Sequence, residues 1–131
     1  MLSMNILTHK SIDVELCGNP IKLETESSNV EYLTTPRMTV DNSGLVHGGF
    51  IFGLADYAAM LAVNHPNVVL GSADVKFTKP VKINESLFAE AKVISSEGKK
   101  HIVTVVVKRE NDTVFLGEFT CFVMEKHILD D

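Results

Sequence analysis

The feature that most constrains the fold is an apolar run at residues 50–63, in which Asp56 is the only charged side chain. The leucine, alanine and methionine residues of this run favour a helix, and the run is longer than a typical strand. Because it is apolar almost all round, such a helix must be buried on nearly every side. The run is also shorter than the roughly 20 residues that cross a bilayer. We therefore predict a central buried helix, ended by Asn64, His65 and Pro66.

The sequence on both sides of this helix is rich in β-branched and aromatic residues or alternates between apolar and polar side chains, which favours strands. The four strand segments after the helix are expected to pair in chain order, as a meander. The predicted elements are a short helix at residues 3–10, a broken strand at 12–23, a strand at 30–35, the central helix, and strands at 68–81, 87–94, 102–108 and 114–124, with turns at 97–100 and 111–112.

One flat sheet cannot cover a helix on all sides, whereas a strongly curved antiparallel sheet can wrap around it. We therefore predict an α+β fold in which a curved antiparallel sheet surrounds one long central helix, with residues 1–131 forming a single domain. Such a sheet has open edges, and a second copy commonly closes edges of this kind. A homodimer or a dimer of dimers is expected.

The charge balance argues against one class of partner. The chain has 12 Lys+Arg and 17 Asp+Glu among 131 residues, which gives a formal net charge of −5. Proteins that bind the phosphate backbone of nucleic acids usually carry a basic face, so no nucleic-acid partner is expected.

The cysteines and histidines do not have the spacing of metal ligands. Cys17 and Cys121 lie far apart and the five histidines are scattered, so no metal is expected. Cys121 lies in an apolar run and is expected to be a buried, reduced thiol. Residues 1–10 lack the pattern of a secretory signal. Together these observations predict a cytoplasmic protein without a membrane partner.

Directly before the apolar run stands His47-Gly48-Gly49. Glycine destabilises a helix unless the backbone geometry or a close approach requires it. A glycine-rich helix start directs free N–H groups outward and favours negative charge, which suits an anion or an oxyanion. The alternative is that the glycines only let the chain turn tightly into the helix.

Asp56 is the second unusual feature, because an unpaired buried carboxylate costs several kcal/mol, on the order that forces pairing or a shifted pKa. It therefore either lies at a cleft that solvent reaches or is functional. The alternative is that a structural hydrogen bond holds it. Gly48 and Asp56 are about 12 Å apart along a helix that rises about 1.5 Å per residue, too far for one chain to supply both to a single reacting group. Two antiparallel helices across a dimer interface would bring them together.

Three motifs carry a resemblance to a known family: residues 44–49, residues 54–56 and residues 75–80. They resemble the hotdog-fold thioesterases of the phenylacetate-pathway and 4-hydroxybenzoyl-CoA type, over about residues 41–124. The resemblance implies the hotdog fold, dimers or tetramers, and hydrolysis of acyl-CoA thioesters with no cofactor, coenzyme A being part of the substrate.

By the same resemblance, Gly48 is the glycine whose N–H polarises the thioester carbonyl, and Asp56 is the carboxylate that acts as nucleophile or general base. His47 is the histidine that shapes or assists the catalytic site, unless it is only a turn residue. The further residues that the resemblance suggests for substrate binding are Gly49, Asp41, Asn42, Lys79 and Lys99.

Two positions depart from the family pattern. The family often has an asparagine six residues before the histidine, where this chain has Asp41, followed by Asn42. Asn84-Glu85 stands where the family frequently has Gly-Asp. A carboxylate at residue 41 would repel the oxyanion, which favours the alternative of an acyl-CoA-binding protein without catalysis, a sensor or regulator. Dehydration of hydroxyacyl chains by His47 and Asp56 is a further alternative.

Overall fold

Six antiparallel strands curve around one long helix in the computed structural model, which describes residues 2–130. This confirms the predicted α+β hotdog fold. The elements are α1 (Val14–Cys17), β1 (Asn19–Glu24), β2 (Ser27–Leu33), a 3-10 turn (Pro36–Met38), α2 (Gly48–Val63), β3 (Val68–Phe77), β4 (Ser86–Glu97), β5 (Lys100–Arg109) and β6 (Asp112–Val123).

The central helix α2 is buried on most of its surface, as its apolar run predicts. Leu54, Ala55, Ala58, Ala59 and Leu61 have no exposed side-chain area. The helix ends at Asn64, which adopts the left-handed conformation (φ 53°) and donates its N–H to the Met60 carbonyl at 2.8 Å. Inward-facing side chains of the sheet pack around it. The core thus lies between α2 and the concave face of the sheet.

The strands lie in the order β1-β2-β4-β5-β6-β3. Only β4, β5 and β6 form the predicted meander. Strand β3 pairs with β6, from Val68 opposite Val123 to Phe77 opposite Phe115, and β4 pairs with β2 across the helix connection. The meander of four strands was therefore wrong in its first member. Strands β1 and β3 form the two edges of the sheet.

Several element boundaries also differ from the predictions. Residues 3–10 form no helix. The first half of the predicted broken strand at residues 12–23 is instead helix α1, which Asp13 caps through a hydrogen bond from Glu15 N–H at 2.9 Å. Strand β3 ends at Phe77, before Pro80, and the last hairpin turns at residues 110–111 rather than 111–112.

The N-terminal segment folds back over the end of α2. The Asn64 side chain donates to the Asn5 carbonyl at 2.9 Å and accepts from Leu7 N–H at 2.8 Å. Leu2 and Ile6 pack against the core, and Thr8 is buried. This segment covers the C-terminal half of α2, so the less buried part of the helix is its N-terminal half.

Candidate functional site

The helix α2 begins where it does because the His47 side chain caps it. The His47 Nδ1 accepts a hydrogen bond from Gly49 N–H at 2.8 Å. A Cβ atom at residue 49 would lie 2.9 Å from that nitrogen, so glycine leaves room for the cap. The preceding loop is fixed as well. His47 N–H donates to the Met38 carbonyl at 2.9 Å, and Val46 N–H donates to the Val81 carbonyl at 2.8 Å.

Gly48 carries the N–H group that remains free at this helix end. Within residues 2–130 no group accepts a hydrogen bond from it. The ring of Phe77 lies against the residue, so that a Cβ at position 48 would be 3.3 Å from Phe77 Cε2. Phe77 is 52% exposed and packs edge-on against Phe115, with 5.1 Å between ring centroids. The free N–H can therefore donate a hydrogen bond to an oxyanion that binds next to the Phe77 ring.

Asp56 lies in the middle of α2, and its Oδ1 is fully enclosed. Among residues 2–130 that oxygen has no hydrogen-bond partner. Burial disfavours the charged form and raises the pKa of Asp56 from 3.8 to about 6. The structural hydrogen bond that was the alternative to a functional role is therefore absent for Oδ1 within the described chain. A carboxylate with a pKa near 6 is well suited to proton transfer near neutral pH.

The two thiols are not reactive groups in this arrangement. Burial, and secondly the charge of Asp56, raises the pKa of Cys121 to about 12. The same two causes, followed by the charge of Asp13, raise the pKa of Cys17. Cys121 is fully buried, which confirms the expected burial of this thiol.

Gly48 and Asp56 of one chain do not form a common site. Eight residues of helix separate them, which corresponds to about 12 Å along the axis. The structure therefore places the free N–H and the unpartnered carboxylate on one helix but apart, as the spacing in the sequence predicted.

Asp41 is engaged by its own loop. Its Oδ1 accepts hydrogen bonds from Ser43 N–H at 2.8 Å and from Ser43 Oγ at 2.5 Å. These bonds lower the pKa of Asp41, which is fully exposed. Thr39 Oγ1 also donates to the Asp41 carbonyl. The carboxylate thus closes a turn, while the neighbouring Asn42 is exposed.

The two candidate lysines lie at opposite ends of α2. Lys79 follows β3 near the helix start, and its Nζ is 3.0 Å from Asp112 Oδ1. Lys99 lies in the β4–β5 turn and lines a surface cleft of about 490 Å³ together with Val63, at the helix end. One chain therefore does not bring these lysines together. A phosphate that binds Lys79 would compete with Asp112.

Sequence patterns did not identify the contact between Phe77 and Gly48. Phe77 belongs to the motif at residues 75–80, but its position depends on the pairing of β3 with β6. A meander in chain order would have placed it elsewhere, so the motif alone carried no signal for this contact.

Two absences are limited to residues 2–130. No group of three or more His, Cys, Asp or Glu side chains there is arranged to hold a metal ion. No helix in that part of the chain is long and apolar enough to cross a membrane.

Comparison with known protein families shows which family this chain belongs to. A family model described as the thioesterase superfamily matches residues 43–116, which contain the helix start, Asp56 and the strands β3 to β5. The chain belongs to the thioesterase superfamily. A protein of known structure, PH1136 from Pyrococcus horikoshii, is 55% identical, with a TM-score of 0.97 over 99% of this chain and 100% of that one.

Two curated relatives of this thioesterase-superfamily chain are longer proteins. Methylthioribose-1-phosphate isomerase from Aquifex aeolicus is 50% identical over 93% of this chain, which spans 27% of the isomerase. Transcription factor FapR from Caldanaerobacter subterraneus subsp. tengcongensis is 29% identical over 90% of this chain, which spans 60% of FapR. The chain therefore corresponds to only a part of each of these proteins.

Proposed function

We propose that this protein hydrolyses acyl-CoA thioesters at a site shared by two copies. The observation that carries the proposal is the pair of unsatisfied groups on α2, the free Gly48 N–H and the enclosed Asp56 Oδ1. Membership of the thioesterase superfamily supports a thioester as substrate. An antiparallel second copy places Gly48 of one chain opposite Asp56 of the other and completes two equivalent sites.

In this site the thioester carbonyl oxygen accepts a hydrogen bond from Gly48 N–H. The ionised Asp56 of the second copy takes a proton from water as the water oxygen bonds to the carbonyl carbon, and the negative charge develops on the carbonyl oxygen. The C–S bond then breaks, and the sulfur of coenzyme A receives the proton from Asp56. The products are a carboxylic acid and free coenzyme A. Direct attack by the Asp56 carboxylate is the other route to the same products.

The primary test is thiol release from short-, medium- and long-chain acyl-CoAs. We expect release by the native protein and none by Asp56→Asn, which keeps the shape of the side chain and removes its basicity. Unchanged turnover in Asp56→Asn would remove this carboxylate from the mechanism. Single turnover in labelled water that transfers the label to Asp56 would establish direct attack, since water then opens the mixed anhydride at the Asp56 carboxyl carbon.

A pair of variants at the helix start tests the oxyanion role. Gly48 is the first residue of α2, where proline is tolerated, and His47 before it has the extended backbone that a following proline requires. Gly48→Pro removes the N–H, whereas Gly48→Ala retains it and makes a similar contact with Phe77. Loss of activity in the proline variant alone supports the role, and equal activity of the two variants contradicts it.

Mixing the inactive chains tests the shared site. A heterodimer of Asp56→Asn with Gly48→Pro contains one intact Gly48–Asp56 pair, so part of the activity should return. A verified heterodimer without activity would contradict a site built from two copies.

Binding of acyl-CoA without hydrolysis is the second candidate, and the comparisons favour it in one respect. A transcription factor and an isomerase each contain a region similar to this chain within a longer protein, as expected for a ligand-binding module. The carboxylate of Asp41 also introduces a negative charge into the loop before the helix. Saturable binding by calorimetry without thiol release would establish this candidate, and Asp41→Asn would then show whether that charge prevents hydrolysis.

A further inference from the structure

Gly53 lies in the middle of α2, where a glycine lowers helix stability relative to alanine. A Cβ atom at this position would have no neighbour within 4 Å. Its φ is not in the left-handed region, so the backbone does not require glycine either. The chain by itself gives no reason for this residue, which indicates that the space beside it is used by something outside one copy.

The open space belongs to the one face of α2 that the chain leaves incompletely covered. Gly49, Phe52, Gly53 and Asp56 lie on this face and are not fully buried. The Phe52 ring is directed toward Phe119, with 5.5 Å between ring centroids. Because the Phe52 ring is turned toward Phe119 and nothing within residues 2–130 lies beside Gly53, another backbone can approach this face closely at Gly53.

The register of the shared site places a twofold axis next to this glycine. If Gly48 of one copy faces Asp56 of another on antiparallel helices, residue 52 of one copy faces residue 52 of the other. Gly53 is the adjacent residue. The distance between packed helices depends on the side chains at their contact, so a residue without a side chain at this point allows the shortest distance.

We propose that Gly53 is the point at which the α2 helices of two copies cross, and that its missing side chain sets the distance from Gly48 of one copy to Asp56 of the other. This inference rests on the proposed function. Gly53 is a positioning residue, since it acts through Gly48 and Asp56. A second copy suits this face because Gly48 and Asp56 lie four residues on either side of residue 52, so that an antiparallel copy brings each of them opposite the other.

Disulfide cross-linking tests the crossing without reference to activity. In a Cys17→Ser background, Gly53→Cys should form a disulfide between copies under mild oxidation, because a disulfide needs Cα atoms within about 7 Å. The native Cys121 is fully buried and can remain. Glu24→Cys is the control for random collision, because Glu24 is exposed and lies in β1, the edge strand on the other side of the sheet from β3. This variant should stay monomeric under denaturing conditions. A dimeric protein in which Gly53→Cys does not cross-link would overturn the inference.

Substitutions at residue 53 then test the positioning role. Gly53→Leu should keep the fold of each copy, since the space is open, but separate the helices and lower kcat about 100-fold, because a misplacement of about 1 Å has that effect. Gly53→Ala, with a smaller side chain, should lose less. If Gly53→Leu instead raises KM with an unchanged kcat, the space holds substrate and the inference fails. If Gly53→Cys cross-links while the native protein releases no thiol from acyl-CoA, the crossing of the helices would be supported and the proposed hydrolysis refuted.

Discussion

The carboxyl group of Asp56 is in an environment that disfavours its charge. In the folded chain its pKa is about 6, against an ordinary value of 3.8. The folded state therefore binds more protons than the unfolded state between about pH 4 and pH 6, and stability falls as the pH rises through this window. Above pH 6 the ionised carboxylate remains a destabilising group, as expected where function conflicts with stability.

Replacing this carboxylate should consequently stabilise the protein. We expect Asp56→Asn to raise the free energy of unfolding at pH 8 by up to about 3 kcal/mol and to flatten its dependence between pH 4 and pH 6. Urea unfolding at several pH values measures both effects. An unchanged slope in the variant would show that Asp56 has an ordinary pKa in the folded chain.

The same titration predicts a pH profile for hydrolysis. Because only ionised Asp56 accepts a proton, kcat/KM should rise through about pH 6 and reach a plateau above it. Steady-state rates from pH 4.5 to pH 8 test this with any acyl-CoA that is turned over. A profile without an inflection in this range would argue for a different base.

His47 has a structural role that can be separated from a chemical one. Its Nδ1 caps α2 through Gly49 N–H, and removal of a cap costs typically about 1 kcal/mol. His47→Ala should lower stability by that amount, whereas His47→Asn provides another capping side chain and should retain both stability and activity. A stable His47→Asn variant without activity would instead assign the imidazole a direct part in the reaction.

At the residue scale, the sequence predicted the unusual groups better than their partners. His47, Gly48 and Asp56 stood out because they interrupt an apolar pattern. The hydrogen bonds of Asp41 to Ser43 could have been expected from the Asp-Asn-Ser-Gly turn, since aspartate commonly bonds to the backbone two residues on. The orphaned Oδ1 of Asp56 could not, because it depends on how the sheet closes around the helix.

At the scale of elements, local pattern located the strands but not their order. The long apolar run was enough to predict the central helix. Alternation of side chains identifies a strand and its inward face, and it located the segments that became β3 to β6. Pairing depends on the whole sheet. Strand β4 occupies the position beside β2, so β3 pairs with β6 at the other edge of the sheet. Helix α2, which connects β2 to β3, therefore crosses the sheet from one side to the other.

One ion-pair cluster holds the β3–β4 connection in place. Arg109 Nη1 donates to the Pro80 carbonyl at 2.8 Å and to Glu85 Oε1 at 3.1 Å. Glu85 Oε1 also accepts from Lys82 N–H at 2.7 Å. The neighbouring Val81 carbonyl accepts from Val46 N–H, so the cluster supports the segment that leads into α2.

Loss of this cluster should therefore be felt at the helix start. We expect Arg109→Ala to lower the free energy of unfolding by about 1.5–3 kcal/mol, the range for hydrogen bonds that involve a charged group. Arg109→Lys retains the charge without the forked geometry of the guanidinium, so its free energy of unfolding should lie between those of Arg109→Ala and the native protein. Denaturant unfolding provides the measurement, and a change below about 0.5 kcal/mol in Arg109→Ala would show that the cluster is only a surface feature.

At the scale of the whole molecule, the exposed edge of β3 and the open face of α2 predict that folding is coupled to association. The melting temperature of the protein should then rise by about 2–4 °C for each tenfold increase in protein concentration. Differential scanning fluorimetry at several concentrations, with mass measured in parallel, tests this. A constant melting temperature for a monomeric protein would contradict the dimer.

The strand order also has a consequence for how the chain folds. Strand β2 pairs with β4 and β3 pairs with β6, so both partners of the segments that flank α2 are distant in sequence. Non-local pairing of this kind is slow, because loop closure must precede the contacts that compensate for it. Until both pairings form, a helix that is apolar on nearly all sides has no cover. The short-lived species that exist before the sheet closes around α2 are therefore the ones most prone to aggregation. Early formation of the β4–β5–β6 meander would shorten the time for which α2 is exposed.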